Sequence, residues 1–144
     1  MAGITHFSTS ADETYSIGLN LGRQLPLGSV VCFFGDLGAG KTTFVKGAAA
    51  GILGTSDVDV SSPTFTYLNI YTGPRHTTLY HFDLYRLRDT DDFLSMGFDE
   101  MFDAGGVCCI EWAEKIEGII PPGALRVDIA HLGGDKRQIE IRQL

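Results

Sequence analysis

The sequence lacks any run of basic residues, any cysteine or histidine spacing typical of zinc ligands, and any long apolar stretch. Lys and Arg total 11 against 18 Asp and Glu in 144 residues, which gives a net charge of −7. This balance argues against a direct nucleic-acid interface, because phosphate contacts require a basic patch. We interpret the acidic surface as one that favours solubility or a basic protein partner.

Cysteine is scarce, with three residues, Cys32, Cys108 and Cys109. An odd number of cysteines inside apolar, strand-like runs predicts reduced, buried thiols rather than a disulfide framework. The longest aliphatic and aromatic run, Val30 to Phe34, is far too short to span a bilayer. No basic-then-apolar leader pattern opens the sequence. We therefore expect a cytoplasmic protein that does not associate with membranes.

Glycine, in contrast, is abundant, and three glycines fall in the segment 35–42, which reads GDLGAGKT. This segment matches the phosphate-binding pattern G-x-x-x-x-G-K-[ST] at every fixed position. Glycine lets backbone N–H groups approach phosphate oxygens, Lys41 can reach the β- and γ-phosphates, and the Thr42 hydroxyl can ligate Mg²⁺. An apolar strand precedes the segment and a helix follows it, so the positive helix N-terminus faces the phosphates. The sequence therefore predicts a nucleoside triphosphate site.

The remaining pattern predicts a single α/β domain over residues 1–144. We expect a P-loop NTPase-like fold with a mostly parallel central sheet, flanking helices and an antiparallel hairpin portion. A capping box, Ser10-x-x-Glu13, predicts a helix that ends near Leu25. Its expected buried face is Tyr15, Leu19, Gly22 and Leu25.

Further elements follow along the chain. Residues 65–71 and 77–82 have the alternation of an antiparallel hairpin. Helical pieces broken by Gly97 are expected over 90–102. Two strands, 125–129 and 139–141, are expected on either side of a turn over 131–137.

Two acidic residues close apolar strand-like runs, Asp83 after 77–82 and Glu111 after 107–110. The carboxyl ends of parallel strands share the edge at which a phosphate loop lies. Spacing does not decide which acid would ligate Mg²⁺. The uninterrupted 107–110 run favours Glu111 beside Thr42, which leaves Asp83 for water positioning or general-base catalysis.

Two loops each match a switch-loop pattern. Residues 61–66, SSPTFT, are compatible with a switch loop that senses the γ-phosphate and equally with an ordinary Ser/Pro turn. Residues 103–106 have the D-x-x-G form of a GTPase switch, but no predicted strand precedes them, so we discount them. The four histidines, at positions 6, 76, 81 and 131, show no metal-ligand spacing.

The absence of a guanine-reading N-K-x-D motif favours ATP over GTP. Composition and spacing support ATP binding with slow hydrolysis. A small-molecule kinase and a nucleotide-binding module that signals without hydrolysis stay open as alternatives.

Four segments stand out together: GDLGAGKTTF at 35–44, SPTFT at 62–66, HFDLYRL at 81–87 and IEWAEK at 110–115. In this combination they resemble the TsaE family of small bacterial ATPases. The combination of Ser-Pro-Thr-Phe, His-x-Asp-x-Tyr-Arg and Glu-Trp is far more specific than the phosphate loop alone. The resemblance implies an accessory ATPase for threonylcarbamoyladenosine modification of tRNA. It would act on the TsaD–TsaB transferase complex and reach tRNA only indirectly.

The same resemblance implies roles for individual residues. Lys41 and Asp83 would be catalytic, and Thr42 and Glu111 would hold Mg²⁺. Contacts to ATP are implied for Ser10, Gly38, Ala39, Gly40, Lys41, Thr42, Thr43, Thr64, Asp83 and Gly134. Of these, Ser10 and Gly134 would lie on the adenine side, and Thr64 would belong to the switch loop.

Overall fold

A computed structural model describes residues 3–35, 40–61, 63 and 66–144. Within these residues one seven-stranded sheet has the spatial order β1-β7-β6-β2-β5-β4-β3. Its strands are β1 Ile4–Ser8, β2 Val30–Phe34, β3 Leu68–Thr72, β4 Thr78–Asp83, β5 Val107–Glu111, β6 Leu125–Gly133 and β7 Lys136–Gln143.

The four central strands, β6, β2, β5 and β4, run parallel to one another, while β1, β7 and β3 pair antiparallel at the two sides. Strands β2 and β5 are buried along almost their whole length. Their uninterrupted apolar sequences are typical of parallel strands that are covered on both faces. This arrangement confirms the predicted α/β class, with a parallel centre and an antiparallel hairpin.

Helices cover both faces of the sheet. The α-helices are α1 Ala11–Gln24, α2 Lys41–Leu53 and α3 Thr90–Ser95, and 3-10 helices run over Phe98–Asp103 and Ala113–Ile119. Helices α1 and α2 pack on the face that includes Val31, Phe33 and Cys109. Helix α3 and the 3-10 helices pack on the opposite face, around Cys32 and Ile110. The molecule therefore has two apolar layers separated by one sheet.

The start of α1 follows the predicted capping box. The Ser10 hydroxyl accepts the Glu13 N–H at 3.1 Å, while the Glu13 carboxylate accepts the Thr9 N–H and hydroxyl at 3.1 and 2.8 Å. These bonds lower the pKa of Glu13 below its usual value, the Thr9 hydroxyl contributing most. The capping hydrogen bonds stabilise the beginning of α1, and so does the attraction between the Glu13 carboxylate and the positive end of the helix dipole.

The predicted buried face of α1 is partly wrong. Tyr15 and Leu19 are only half-buried, whereas the fully buried positions are Thr14, Gly18 and Gly22. The reason is that glycines form the closest contact with α2, while Ile17, Leu21 and Leu25 pack partly buried against the apolar cluster.

Two pairs of glycines bring α1 and α2 into backbone contact. A Cβ at Gly18 or Gly22 would collide with the carbonyl oxygens of Phe44 or Ala48 on α2. Likewise, a Cβ at Gly47 or Gly51 of α2 would collide with backbone carbonyl oxygens of α1. Each pair is spaced four residues apart, so both fall on one helix face, as in small-xxx-small helix contacts. The helices consequently lie closer together than larger side chains would permit.

The strand pair near the C-terminus is longer than predicted. Strands β6 and β7 stay paired up to Gly133 and Lys136, so the expected seven-residue turn is a tight one. Gly133 and Gly134 both have positive φ, of 113° and 54°, which a glycine adopts without steric cost. Strand β1 was not predicted; it is a short exposed edge strand whose formation depends on pairing with β7.

Other predicted elements are confirmed. The antiparallel hairpin is present as β3 and β4, beginning at Leu68. Gly97, with φ of 72°, separates α3 from the following 3-10 helix. Helix α2 ends at Leu53, and the next residue, Gly54, has a left-handed backbone and donates its N–H to the Ala50 carbonyl at 2.9 Å. Among the helices in the described ranges, none is long and apolar enough to cross a membrane.

The glycine contact leads to a prediction about stability. Gly22→Ala should lower the free energy of unfolding by roughly 1–3 kcal/mol, because the new methyl group overpacks a backbone contact. In an open helical position the same change would raise stability by roughly 1 kcal/mol. Chemical denaturation of both proteins measures the difference.

Gly118→Ala is the matched control, since a Cβ there meets nothing within 4 Å and its φ is not positive. We expect this control to have wild-type stability or to exceed it by up to roughly 1 kcal/mol. Equal stability of Gly22→Ala and Gly118→Ala would contradict the assigned contact.

Candidate functional site

The predicted strand before the phosphate-binding motif and the predicted helix after it are confirmed. Strand β2 ends at Phe34 and α2 begins at Lys41, directly after Gly40. Gly40 has φ of 99°, a conformation that L side chains rarely adopt. Gly38 and Ala39, both predicted to contact ATP, lie outside the described residues.

The N-terminus of α2 presents the chemistry of an anion site. Among the described residues, no side chain caps its first turn, and that turn contains no acidic residue. The first N–H groups of a helix have no partner within the helix, so they require an acceptor from elsewhere. Thr42 is exposed, and Lys41 and Thr43 are half-buried beside it. Phosphate oxygens fit this combination of N–H groups, ammonium and hydroxyls.

The two predicted acids lie at the carboxyl ends of neighbouring parallel strands. Asp83 on β4 and Glu111 on β5 are direct register partners, and both are 7% exposed. Glu111 is also the register partner of Phe33 on β2, so it lies one strand closer to the phosphate loop than Asp83 does. Phe33 packs on Phe44 of α2 with ring centroids 5.8 Å apart. The acids therefore lie on the sheet face that α2 covers.

Asp83 is fixed by the backbone on both sides of it. Its Oδ1 accepts the Tyr85 N–H at 3.1 Å, and its own N–H donates to the Tyr67 carbonyl at 3.0 Å. Tyr67 has φ of 65°, and its N–H donates to the Pro63 carbonyl at 2.8 Å. Tyr67, which has a strained backbone, is thus hydrogen-bonded both to Pro63 of the candidate switch loop and to Asp83. Within that loop, Ser62, Thr64 and Phe65 lie outside the described residues.

Glu111 has a partner that the sequence analysis missed. The Nε2 atom of His81 lies 2.8 Å from Glu111 Oε2, and His81 is 2% exposed. His81 and Asp83 are two residues apart on β4, so their side chains lie on one face of the strand. The sequence signal for this contact is the i, i+2 spacing of His81 and Asp83 on one strand, together with Glu111 at the end of another predicted strand.

Trp112, which follows Glu111, lies beside the predicted phosphate-binding lysine. The Lys41 Nζ atom is 4.8 Å from the centre of the Trp112 ring, and the Tyr85 ring is 4.9 Å away on the same indole. Trp112 has φ of 60°, an uncommon conformation for a large side chain. This backbone conformation turns the ring next to Lys41, where a cation–π contact holds the ammonium group.

A small cleft of about 60 Å³ lies next to the loop. Its lining comes from three separate segments: Ala11 and Thr14 of α1, Gly40 and Thr43 at the start of α2, and Asp135 and Arg137 of the β6–β7 turn. Arg137 donates to the Gly134 carbonyl at 2.9 Å. The fold therefore places Ala11 and Asp135, which follow Ser10 and Gly134 in the sequence, beside Gly40. Direct contacts of Ser10 and Gly134 with adenine stay predictions.

The residues present fit Mg²⁺ bound together with a nucleotide. In the part of the chain that the structure describes, no three His, Cys, Asp or Glu side chains form a metal-binding group. Mg²⁺ in nucleotide sites is typically held by one or two protein groups, with phosphate oxygens and water as its other ligands. The Thr42 hydroxyl and the Glu111 carboxylate match this donor set.

The cysteines supply no reactive thiolate. Cys32, Cys108 and Cys109 are buried and unpaired. Burial raises the pKa of Cys32 and of Cys108 to about 12 and raises that of Cys109 as well. Nucleophilic chemistry by these thiols is therefore disfavoured near neutral pH.

Comparisons with known proteins agree on one family. The model of the family described as threonylcarbamoyl adenosine biosynthesis protein TsaE matches residues 8–139. The chain is 42% identical over 134 residues to the tRNA threonylcarbamoyladenosine biosynthesis protein TsaE of Treponema pallidum, covering 93% of this chain and 96% of that protein. It is 41% identical over 132 residues to the Bacillus subtilis protein of the same name, covering 92% and 80%.

A solved structure has a similar fold. The crystal structure of Bacillus subtilis YdiB superposes with a TM-score of 0.80 at 35% identity, covering 97% of this chain and 84% of that one.

The position of Trp112 predicts an optical signal. Addition of Mg²⁺ and ATP should change Trp112 fluorescence, because phosphates would draw the Lys41 ammonium group away from the indole ring. The chain contains one tryptophan, so excitation at its absorption edge reports on this position alone. An unchanged spectrum, at ATP concentrations that saturate the protein by calorimetry, would contradict this placement.

Proposed function

Since this chain belongs to the TsaE family, we propose that it is a weak Mg²⁺-dependent ATPase that serves threonylcarbamoyladenosine modification of tRNA. One observation carries the ATPase proposal. The N-terminus of α2, which carries Lys41 and which no described side chain caps, lies at the same sheet edge as two strand-end carboxylates, Glu111 and Asp83. Phosphoryl transfer to water depends chiefly on positioning and charge, and these groups supply both.

Binding of the triphosphate is assigned to the start of α2. The N–H groups of its first turn and the Lys41 ammonium would donate hydrogen bonds to the negatively charged phosphate oxygens. Thr42 and Glu111 would hold Mg²⁺, which when bound neutralises charge on the phosphate oxygens. The position of Glu111 on the strand beside β2 supports this assignment over Asp83.

Hydrolysis is assigned to Asp83. Its carboxylate is 7% exposed and lies one strand beyond Glu111, so it can accept a hydrogen bond from a water molecule at the far side of the phosphates. A general base must be within hydrogen-bond reach of the proton that it takes. The backbone bonds from Tyr85 and to Tyr67 keep this carboxylate in place.

The partner in this proposal is the TsaD–TsaB transferase complex. The net charge of −7 supports contact with protein surfaces, and contact with tRNA would be indirect. Energy from ATP would then reset the transferase between turnovers. The cytoplasmic location expected from the sequence remains a prediction.

We expect slow ATP hydrolysis by the isolated protein and faster hydrolysis with the transferase complex. Lys41→Ala should lower the rate by roughly 10²-fold or more, because it removes a charge that stabilises the transition state. Phosphate release in steady state is the measurement. Lys46→Ala is the matched control, since Lys46 is exposed on the same helix.

Wild-type activity in Lys41→Ala would contradict the proposal. A phosphorylated metabolite, instead of free phosphate, would favour a small-molecule kinase. ATP binding without any turnover, even with the transferase complex, would favour a non-hydrolysing module.

The division of roles between the two acids is a separate prediction. Glu111→Ala should raise the Mg²⁺ concentration for half-maximal ATP binding by roughly tenfold or more, whereas Asp83→Ala should change it less. Asp83→Asn should still bind ATP but release little phosphate. Titration of Mg²⁺ at fixed ATP separates these effects, and the reverse order for the two alanine variants would overturn the assignment.

A further inference from the structure

Among the described residues, the His81 side chain makes one hydrogen bond, and that bond is to Glu111. On β4 it stands opposite Cys109 of β5, and Glu111 is two residues further along the same face of β5. The side chains of His81 and Glu111 are 3% and 10% exposed, and their Nε2 and Oε2 atoms are 2.8 Å apart. A carboxylate oxygen accepts hydrogen bonds, so the hydrogen of this pair lies on Nε2.

The other ring nitrogen of His81 is buried without a partner. Among the described residues, His81 Nδ1 is the buried side-chain atom that lacks any hydrogen bond. An unsatisfied buried polar atom costs stability, and an apolar side chain would fill this space at lower cost. The single bond to Glu111 is therefore the contribution that distinguishes histidine from an apolar residue at this position.

The two oxygens of Glu111 have different surroundings. Oε2 is held by His81, while within the described residues no hydrogen bond reaches Oε1. A carboxylate with one oxygen held and the other available is oriented for a ligand. Groups that hold a metal ligand in this way commonly tune metal affinity by about 10–100-fold.

We propose that His81 is a positioning residue that orients the Glu111 carboxylate for Mg²⁺ through its Nε2–H. The inference rests on the proposed Mg²⁺-dependent nucleotide binding. It adds a residue that contacts neither the nucleotide nor the metal but determines how strongly Mg²⁺ supports binding. His81 acts through Glu111 and not through Asp83, although Asp83 lies two residues away on the same strand face.

Two amide variants test this role. In His81→Gln the side-chain nitrogen can reach the position of Nε2, whereas in His81→Asn it reaches only the position of Nδ1. We expect His81→Asn to raise the Mg²⁺ concentration for half-maximal binding of a fluorescent ATP analogue about tenfold or more. His81→Gln should remain close to wild type, and binding in EDTA should be unchanged in both variants.

Two further variants serve as controls. His76→Asn makes the same change at an exposed histidine and should leave the Mg²⁺ requirement unchanged. In a Glu111→Ala background, His81→Asn should add no further loss, because its effect passes through the carboxylate. A normal Mg²⁺ requirement in His81→Asn, an equal loss in His81→Gln, or an additive loss with Glu111→Ala would each overturn the proposal.

A further test uses the wild-type protein and therefore does not depend on whether a variant folds. Nitrogen NMR of the His81 ring should show hydrogen on Nε2, and its signal should shift when Mg²⁺ and nucleotide are added together but less with nucleotide in EDTA. Hydrogen on Nδ1 would overturn the proposal. Nucleotide binding by wild type that does not depend on Mg²⁺ would instead contradict the proposed function, while the ring signal would still report the His81–Glu111 contact.

Discussion

The parallel pairing of β2, β5 and β4 is the constraint on which the candidate site depends. Parallel strands end at the same edge of a sheet, so this pairing brings the loop after β2, Glu111 and Asp83 together although they are far apart in sequence. The register is set by strands whose apolar residues are buried on both faces. A shift of one residue would turn Glu111 and His81 towards the opposite apolar layer.

The backbone contact between α1 and α2 provides a second constraint. Gly18 and Gly22 on α1, with Gly47 and Gly51 on α2, hold the two helices at a fixed separation. Because α2 begins at the phosphate loop, this contact also fixes the N-terminus of α1 beside Gly40. The cleft that joins Ala11, Gly40 and Arg137 is thus a consequence of helix packing at a distance from it.

The site concentrates features that reduce stability. Tyr67 and Trp112 have positive φ, and each adjoins one of the two acids, Tyr67 through the Asp83 N–H and Trp112 through the peptide bond to Glu111. His81, Asp83 and Glu111 place three polar side chains among buried neighbours. Strain and buried polarity of this kind persist when the surrounding structure over-determines them, and they commonly mark functional regions. Here the sheet and α2 supply that support.

The sequence by itself determined the fold class, the loop with its flanking strand and helix, the capping box at Ser10 and the strands that end in Asp83 and Glu111. Each of these depends on local periodicity or on a motif whose residues are contiguous. The tertiary structure decided which face of α1 is buried, that Ile4–Ser8 forms an edge strand, how far β6 and β7 stay paired, and that His81 holds Glu111. These features depend on contacts between segments distant in the chain, and no local pattern records which neighbour will supply the contact.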